Sequence, residues 1–308
     1  MTERFCDVGG GITLCYETFG DPADPPALMV MGLATQMIAW HEDFCEQLAG
    51  QGFFVVRFDN RDIGRSTHID IRPPSTRQII RRRMPPGQYT LSDMAADAAG
   101  LLRELDLSPA HLIGASMGGM IAQVLAAERP ELVRSLTSIM SSTGSRWRGQ
   151  PAPAAYKYLL RRPPRTREEV VEQAARVFGV IGTKELQDEE AIREMAGRSF
   201  DRGHNPAGGG RQLGAIIASG NRTRKLHSIT APTLVIHGNR DKLIRPSGGR
   251  ATAGAIPGAK LVMIDGMGHD LPRPLWPRLI ELIGDHARDA DASRAETEED
   301  SHARLSGT

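Results

Sequence analysis

The chain has 308 residues, 40% of them hydrophobic and 24% charged, with a formal net charge of +1. That length and composition suit a single large globular α/β unit, and so even a charge balance excludes the usual reasons for expecting nucleic acid or an anionic membrane surface as partner. Three scattered cysteines without CxxC spacing, no basic stretch leading into an apolar run at the N-terminus, and no apolar run of about 18–20 residues predict a cytoplasmic protein without a disulfide framework or membrane insertion.

In chain order, Arg4 to Phe19 reads as a hairpin turning at Gly9-Gly10-Gly11. ALMVMG from Ala27 is strand-sized and bounded by prolines and glycine, a helical stretch runs from about Trp40 to Ala49, and FFVVRFD (53–59) is the next strand. Ser92 to Leu107 predicts a helix, with Ser92 as N-cap and Met94, Ala98, Leu101, Leu102 and Leu105 on one face. HLIGAS (111–116) reads as a strand and Gly118 to Glu128 as a small-residue helix. SLTSIM (135–140), TLVIHG (233–238) and LVMID (261–265) follow as strands, with helices around 247–256 and 277–287.

Strand and helix alternate over 27–140 and again over 232–287, the pattern of a mostly parallel central sheet with helices on both faces. Between these blocks, 143–225 lacks strand patterning and carries helical stretches such as Arg167–Val180 and Asp188–Phe200; the glycines at 208–210 read as a loop. The predicted organisation is a core of 1–142 and 226–287, a helical insertion over 143–225, and a disordered polar tail over 288–308.

Gly114-Ala115-Ser116-Met117-Gly118 is the one GxSxG in the chain. It ends an apolar strand and opens a helix, so the chain turns sharply there and holds the Ser116 hydroxyl above the carboxyl edge of the sheet. A serine hydroxyl is a weak nucleophile at neutral pH and needs a base, which in turn needs orienting. Such an elbow predicts the order Ser, acid, His. His269, in GMGHDLP directly after a strand, is the candidate base, and Asp241, after TLVIHG, the candidate acid. Asp265 and Asp270 are rivals by proximity. The backbone N–H groups of Met117 and Leu33 are the candidate oxyanion donors. Met37, Ile38, Met140 and Met267, with Met31, are expected to make the substrate pocket apolar.

Taken together, MVMGLATQMIAW, VVRFDNRDIGRS, HLIGASMGGMIAQ, TLVIHGNRDKLIRP and IDGMGHDLP resemble the α/β-hydrolase superfamily over residues 1 to about 287. The similarity is greatest to bacterial serine esterases of the aclacinomycin methylesterase-like group. The resemblance implies Ser116, Asp241 and His269 as triad, Leu33 and Met117 as oxyanion donors, and 143–225 as a helical cap. It departs from the family at Met31-Gly32, which replaces the common His-Gly of the oxyanion loop. Arg61, Gly64 and Ser66 in DNRDIGRS match the family's structural turn.

The implied function is hydrolysis of carboxylic esters through an acyl-enzyme, without cofactor or metal, on a small-molecule ester with an apolar acyl or alkyl group. A cofactor-free haloperoxidase or perhydrolase activity, carbon–carbon bond hydrolysis, and a non-catalytic small-molecule receptor are the alternatives. No nucleic acid partner is expected, and a homodimer is compatible with the sequence. Two basic runs, Arg72, Arg77, Arg81, Arg82, Arg83 and then Arg146, Arg148, Lys157, Arg161, Arg162, Arg165, Arg167, read as solvated surface or as a positive rim for an anionic substrate.

Overall fold

The computed structural model of the chain describes residues 2–159 and 163–306, and their side chains except those of 157–159 and 297–306. In chain order the elements are β1 (Arg4–Asp7), β2 (Thr13–Phe19), β3 (Pro26–Val30), α1 (Glu42–Ala49), β4 (Phe54–Phe58), α2 (Thr76–Arg81), α3 (Leu91–Glu104), β5 (Ala110–Ala115), α4 (Met117–Glu128) and β6 (Val133–Ile139). An insertion of five helices follows: α5 (Pro153–Leu159), α6 (Arg167–Ile181), α7 (Glu189–Arg202), α8 (Gly208–Ser219) and α9 (Thr223–Leu226). The chain then completes the sheet with β7 (Thr233–Gly238), α10 (Ser247–Ala255), β8 (Lys260–Ile264) and α11 (Trp276–Ser306).

The eight strands form one sheet in the order β1-β2-β4-β3-β5-β6-β7-β8. The hairpin strands pair antiparallel, and every pairing from β4 to β8 is parallel. Alternate side chains divide the core in two, as a two-residue period demands. Leu28, Val30, Val56, Leu112 and Leu136 face α3 and α4, while Ala27, Met29, Val55, Ile113 and Ile236 face α1 and α11. The predicted architecture is therefore the observed one.

Three local expectations are corrected. The N-cap of α3 is Thr90, whose hydroxyl and backbone N–H close a capping box with Asp93; Ser92 instead donates to Glu128 at 2.8 Å. Gly208 to Gly210 open α8 rather than form a loop. A Cβ on Gly208 would overlap the carbonyl oxygen of Asp62, and one on Gly209 would stand 2.9 Å from the Cβ of Ala34. Glycine allows that approach, which offsets its poor helix propensity of roughly 1 kcal/mol per residue.

The third correction concerns the tail. α11 continues past 287 because its apolar stripe does: Ile283, Ala287 and Ala290 are buried one turn apart. Asp291 then accepts hydrogen bonds from Arg134 at 3.1 Å and His111 at 3.3 Å. Where disorder is expected, 288–296 continue the helix, packed through Ala290 and Asp291 while 292–296 stand exposed; the side chains of 297–308 lie outside the described residues. So do Lys157, Arg161 and Arg162 of the basic runs.

Buried ion pairs bolt the insertion to the carboxyl edge. Arg202 meets Asp59 at 2.6 Å, and Arg211 meets Asp62 at 2.6 Å. All four side chains are largely withdrawn from water, a position charges hold only when paired.

Candidate active site

β5 delivers Ser116 to the edge of the sheet and α4 begins at the next residue. The serine takes φ 56° and ψ −117°, left-handed backbone that an L-residue adopts only where the surroundings impose it. Close packing imposes it here. A Cβ on Gly114 would overlap Gly118, and one on Gly118 would overlap the carbonyl oxygen of Val30 at the end of β3. The bare glycines let strand, turn and helix touch, and Ser116 N–H is fixed by Ile139 O at 2.9 Å.

His269 follows β8 and presents Nε2 3.0 Å from Ser116 Oγ. Its Nδ1 lies 2.7 Å from Asp241 Oδ2. Asp241 is 2% exposed, and its other oxygen accepts the N–H groups of Leu243 and Ile244, each at 2.8 Å. A carboxylate so surrounded by donors takes the Nδ1 proton as donor too. That leaves the Nε2 lone pair facing the serine hydroxyl. The structure thus brings together the three residues singled out by the sequence.

It places the rival acids elsewhere. Asp265 is bonded to Asn239 on the surface, and Asp270 accepts from Thr183 of the insertion. Burial pushes the Asp270 carboxyl up, and the Thr183 hydrogen bonds draw it back only in part.

The loop after β3 runs beside the serine: a Cβ on Gly32 would stand 3.3 Å from Ser116 Cβ and 3.8 Å from its Oγ. Among the described residues, neither Met117 N–H, at the start of α4, nor Leu33 N–H donates to a protein acceptor. The first is one of the orphan donors of a helix N-terminus. The loop itself is held from both sides. Asn60 donates to Met31 O at 2.9 Å, and Gln212 of α8 accepts Ala34 N–H at 2.8 Å. Neither residue was visible as functional in the sequence; Asn60 sits within a recognisable motif, whereas Gln212 has no local signal.

The four expected pocket residues are all buried. Met37 and Met267 have no exposed surface, and Ile38 and Met140 are 4% exposed. Met37 and Ile38 pack with Cys15, and Met140 and Met267 fill the face that carries α1 and α11; flexible thioethers suit such gaps. Leu33, half-buried, remains at the serine edge. The described arginines of the basic runs are exposed, and Arg167 is paired with Asp201 at 2.9 Å.

A mostly parallel sheet with a serine on its central strand–helix elbow, a histidine after the last strand and an intervening helical insertion defines a class. The α/β hydrolase fold family matches residues 25–272, and the chain belongs to it. Among curated proteins the chain is similar to rhodomycin D methylesterase DauP of Streptomyces sp. (strain C5), 29% identical over 303 residues, covering 91% of this chain and 96% of that protein. It is also similar to 2-hydroxymuconate semialdehyde hydrolase of Pseudomonas putida, 28% identical over 240 residues, covering 72% and 80%. Of solved structures, the esterase RhEst1 from Rhodococcus sp. ECU1013 shares the fold with a TM-score of 0.75 at 18% identity, over 94% of this chain and 99% of that one. Among the described residues no helix is long and apolar enough to cross a membrane.

Proposed function

We propose that the protein hydrolyses carboxylic esters by a double displacement. The observation that carries this reading is the continuous line Asp241–His269–Ser116, at 2.7 and 3.0 Å, ending beside two backbone donors that have no protein acceptor among the described residues. His269 Nε2 takes the hydroxyl proton as Ser116 Oγ attacks the ester carbonyl. Asp241 holds the tautomer and balances the imidazolium that forms. The carbonyl oxygen becomes an oxyanion opposite Met117 N–H and Leu33 N–H. Collapse expels the alcohol, which takes its proton from His269, and leaves an acyl group on Ser116. Water, activated by the same imidazole, then releases the acid.

The similarity to methylesterases over nearly the whole of both chains supports a small alcohol as leaving group. The insertion over 143–225 acts as the cap, since α8 touches the oxyanion loop and the turn after α6 touches the histidine loop. The test is a panel of methyl and p-nitrophenyl esters of increasing acyl length, each measured with the wild type and with Ser116→Ala. Turnover confined to the wild type, best on short or medium chains, is expected. No turnover across the panel with undisturbed folding would favour a binding role over catalysis.

A further inference from the structure

The histidine loop is hydrogen-bonded directly to the insertion. After α6 the chain passes through Gly182 to Thr183, which is 2% exposed. Four donors of this turn and the histidine loop interlock them. His269 N–H donates to Ile181 O at 2.7 Å, and Gly268 N–H donates to Thr183 Oγ1 at 2.8 Å. Thr183 Oγ1–H donates to Asp270 Oδ1 at 2.6 Å, and Thr183 N–H lies 3.0 Å from both oxygens of the same carboxylate. The two backbones meet through glycine: a Cβ on Gly268 would stand 2.6 Å from Ile181 O, and one on Gly182 would stand 3.0 Å from Asp270 Oδ2. The residues before and after His269 are therefore both held by one threonine.

Asp270 is a half-buried carboxylate adjacent to the base, and it does not serve the imidazole. Thr183 offers it two donors in addition to accepting from Gly268, so the pair forms a closed ring of hydrogen bonds around the His269 backbone. A backbone held at 268 and 269, with the Asp270 side chain anchored beside it, leaves the imidazole only its two side-chain torsions, and Asp241 fixes those. We propose that Thr183 and Asp270 are positioning residues for His269, through which the insertion sets the distance from Nε2 to Ser116 Oγ. This rests on the catalytic reading above and adds a task for the insertion beyond covering the site.

The experiment compares Thr183→Val, which keeps the shape and loses the hydroxyl, with Thr183→Ser, which keeps the hydroxyl, and adds Asp270→Asn in case the valine variant does not fold. For each, kcat and KM on a p-nitrophenyl ester, the pH profile of Ser116 phosphonylation by a fluorophosphonate, and Tm are measured. The His269 Nδ1 proton is followed as a downfield resonance in ¹⁵N-labelled protein. Thr183→Val and Asp270→Asn are expected to lower kcat by about tenfold or more with KM within about twofold, since a displacement of roughly 1 Å at a reacting group costs on the order of 100-fold. The phosphonylation profile should shift in step, the resonance should broaden or vanish, and Thr183→Ser should restore each readout.

Retention of kcat and pH profile by both Thr183→Val and Asp270→Asn, whatever their Tm, would overturn the proposal, because a merely structural bond moves Tm alone. A wild type that neither turns over esters nor takes the fluorophosphonate would count against the catalytic reading separately. The resonance would then decide the clamp on its own: loss in Thr183→Val supports it, and an unchanged signal overturns it.

Discussion

Gly118→Ala tests whether close packing, and not sequence motif alone, holds the serine in place. The added Cβ would overlap Val30 O and stand 2.5 Å from the Val30 carbonyl carbon. Val30 cannot yield, because β3 is paired on both sides, with Phe58 of β4 and Gly114 of β5. The helix start must therefore retreat, by about 1 Å in an interior packed as densely as an organic crystal. Ser116 and the Met117 N–H ride on that start, so both move relative to Leu33 and His269. Overpacking of this kind costs about 1–3 kcal/mol of stability, and a 1 Å displacement at the reacting atoms costs on the order of 100-fold in rate. The assay is kcat/KM on the best ester, beside Tm, with Gly254→Ala as the control. A Cβ on Gly254, in α10, meets nothing within 4 Å, so that change should be neutral or stabilising by up to about 1 kcal/mol. A folded Gly118→Ala protein with kcat/KM within about twofold of wild type would refute the reasoning.

Asp241→Asn should lower kcat on the order of 10⁴-fold by favouring the wrong imidazole tautomer, whereas Asp265→Asn, facing only Asn239, should change it less than about twofold; steady-state kinetics decides, and a reversal would move the acid to the other loop. Glu42 is pushed up by burial but drawn down to about 2, below its ordinary 4.5, by hydrogen bonds from Arg198 and Arg57. A carboxyl whose folded value is depressed contributes stability above its unfolded value and loses it as pH falls through the folded one. Glu42→Gln should thus lower Tm at pH 7, by about 2 kcal/mol in stability once solvent screening is allowed for, and the gap to wild type should close as pH falls from 4.5 to about 2; a gap independent of pH in thermal melts would contradict this. Asp291→Ala should lower Tm by a few degrees through loss of the Arg134 and His111 bonds, and an unchanged melt would mean that α11 gains nothing from its continuation.

What the sequence made legible was local. The strands around Ser116, Asp241 and His269 announce themselves through apolar runs that end in glycine-rich turns, and their carboxyl ends share one edge once the sheet is parallel. Polar groups whose partners are far along the chain were not legible. Asp270 finds Thr183 across 87 residues, and Ala34 finds Gln212 across 178; no periodicity encodes such pairs. For the methionines, hydrophobicity marks burial without saying whether a side chain fills the core or borders a void. Gly208 to Gly210 misled because glycine usually breaks a helix, and only the nearness of Asp62, Ala34 and Pro73 explains why α8 begins with three. The polar look of residues 288–296 hid one buried apolar side chain, Ala290, which extends the stripe of Ile283 and Ala287 by a turn and is too little to register in composition.

Whether Ser116 carries the acyl group is read from peptide mass mapping of protein quenched within milliseconds of mixing with p-nitrophenyl butyrate. A single butyryl adduct is expected on the peptide that bears Ser116, appearing with the burst of p-nitrophenol and absent from Ser116→Ala. An acyl group on any other residue, or turnover undiminished in Ser116→Ala, would contradict it.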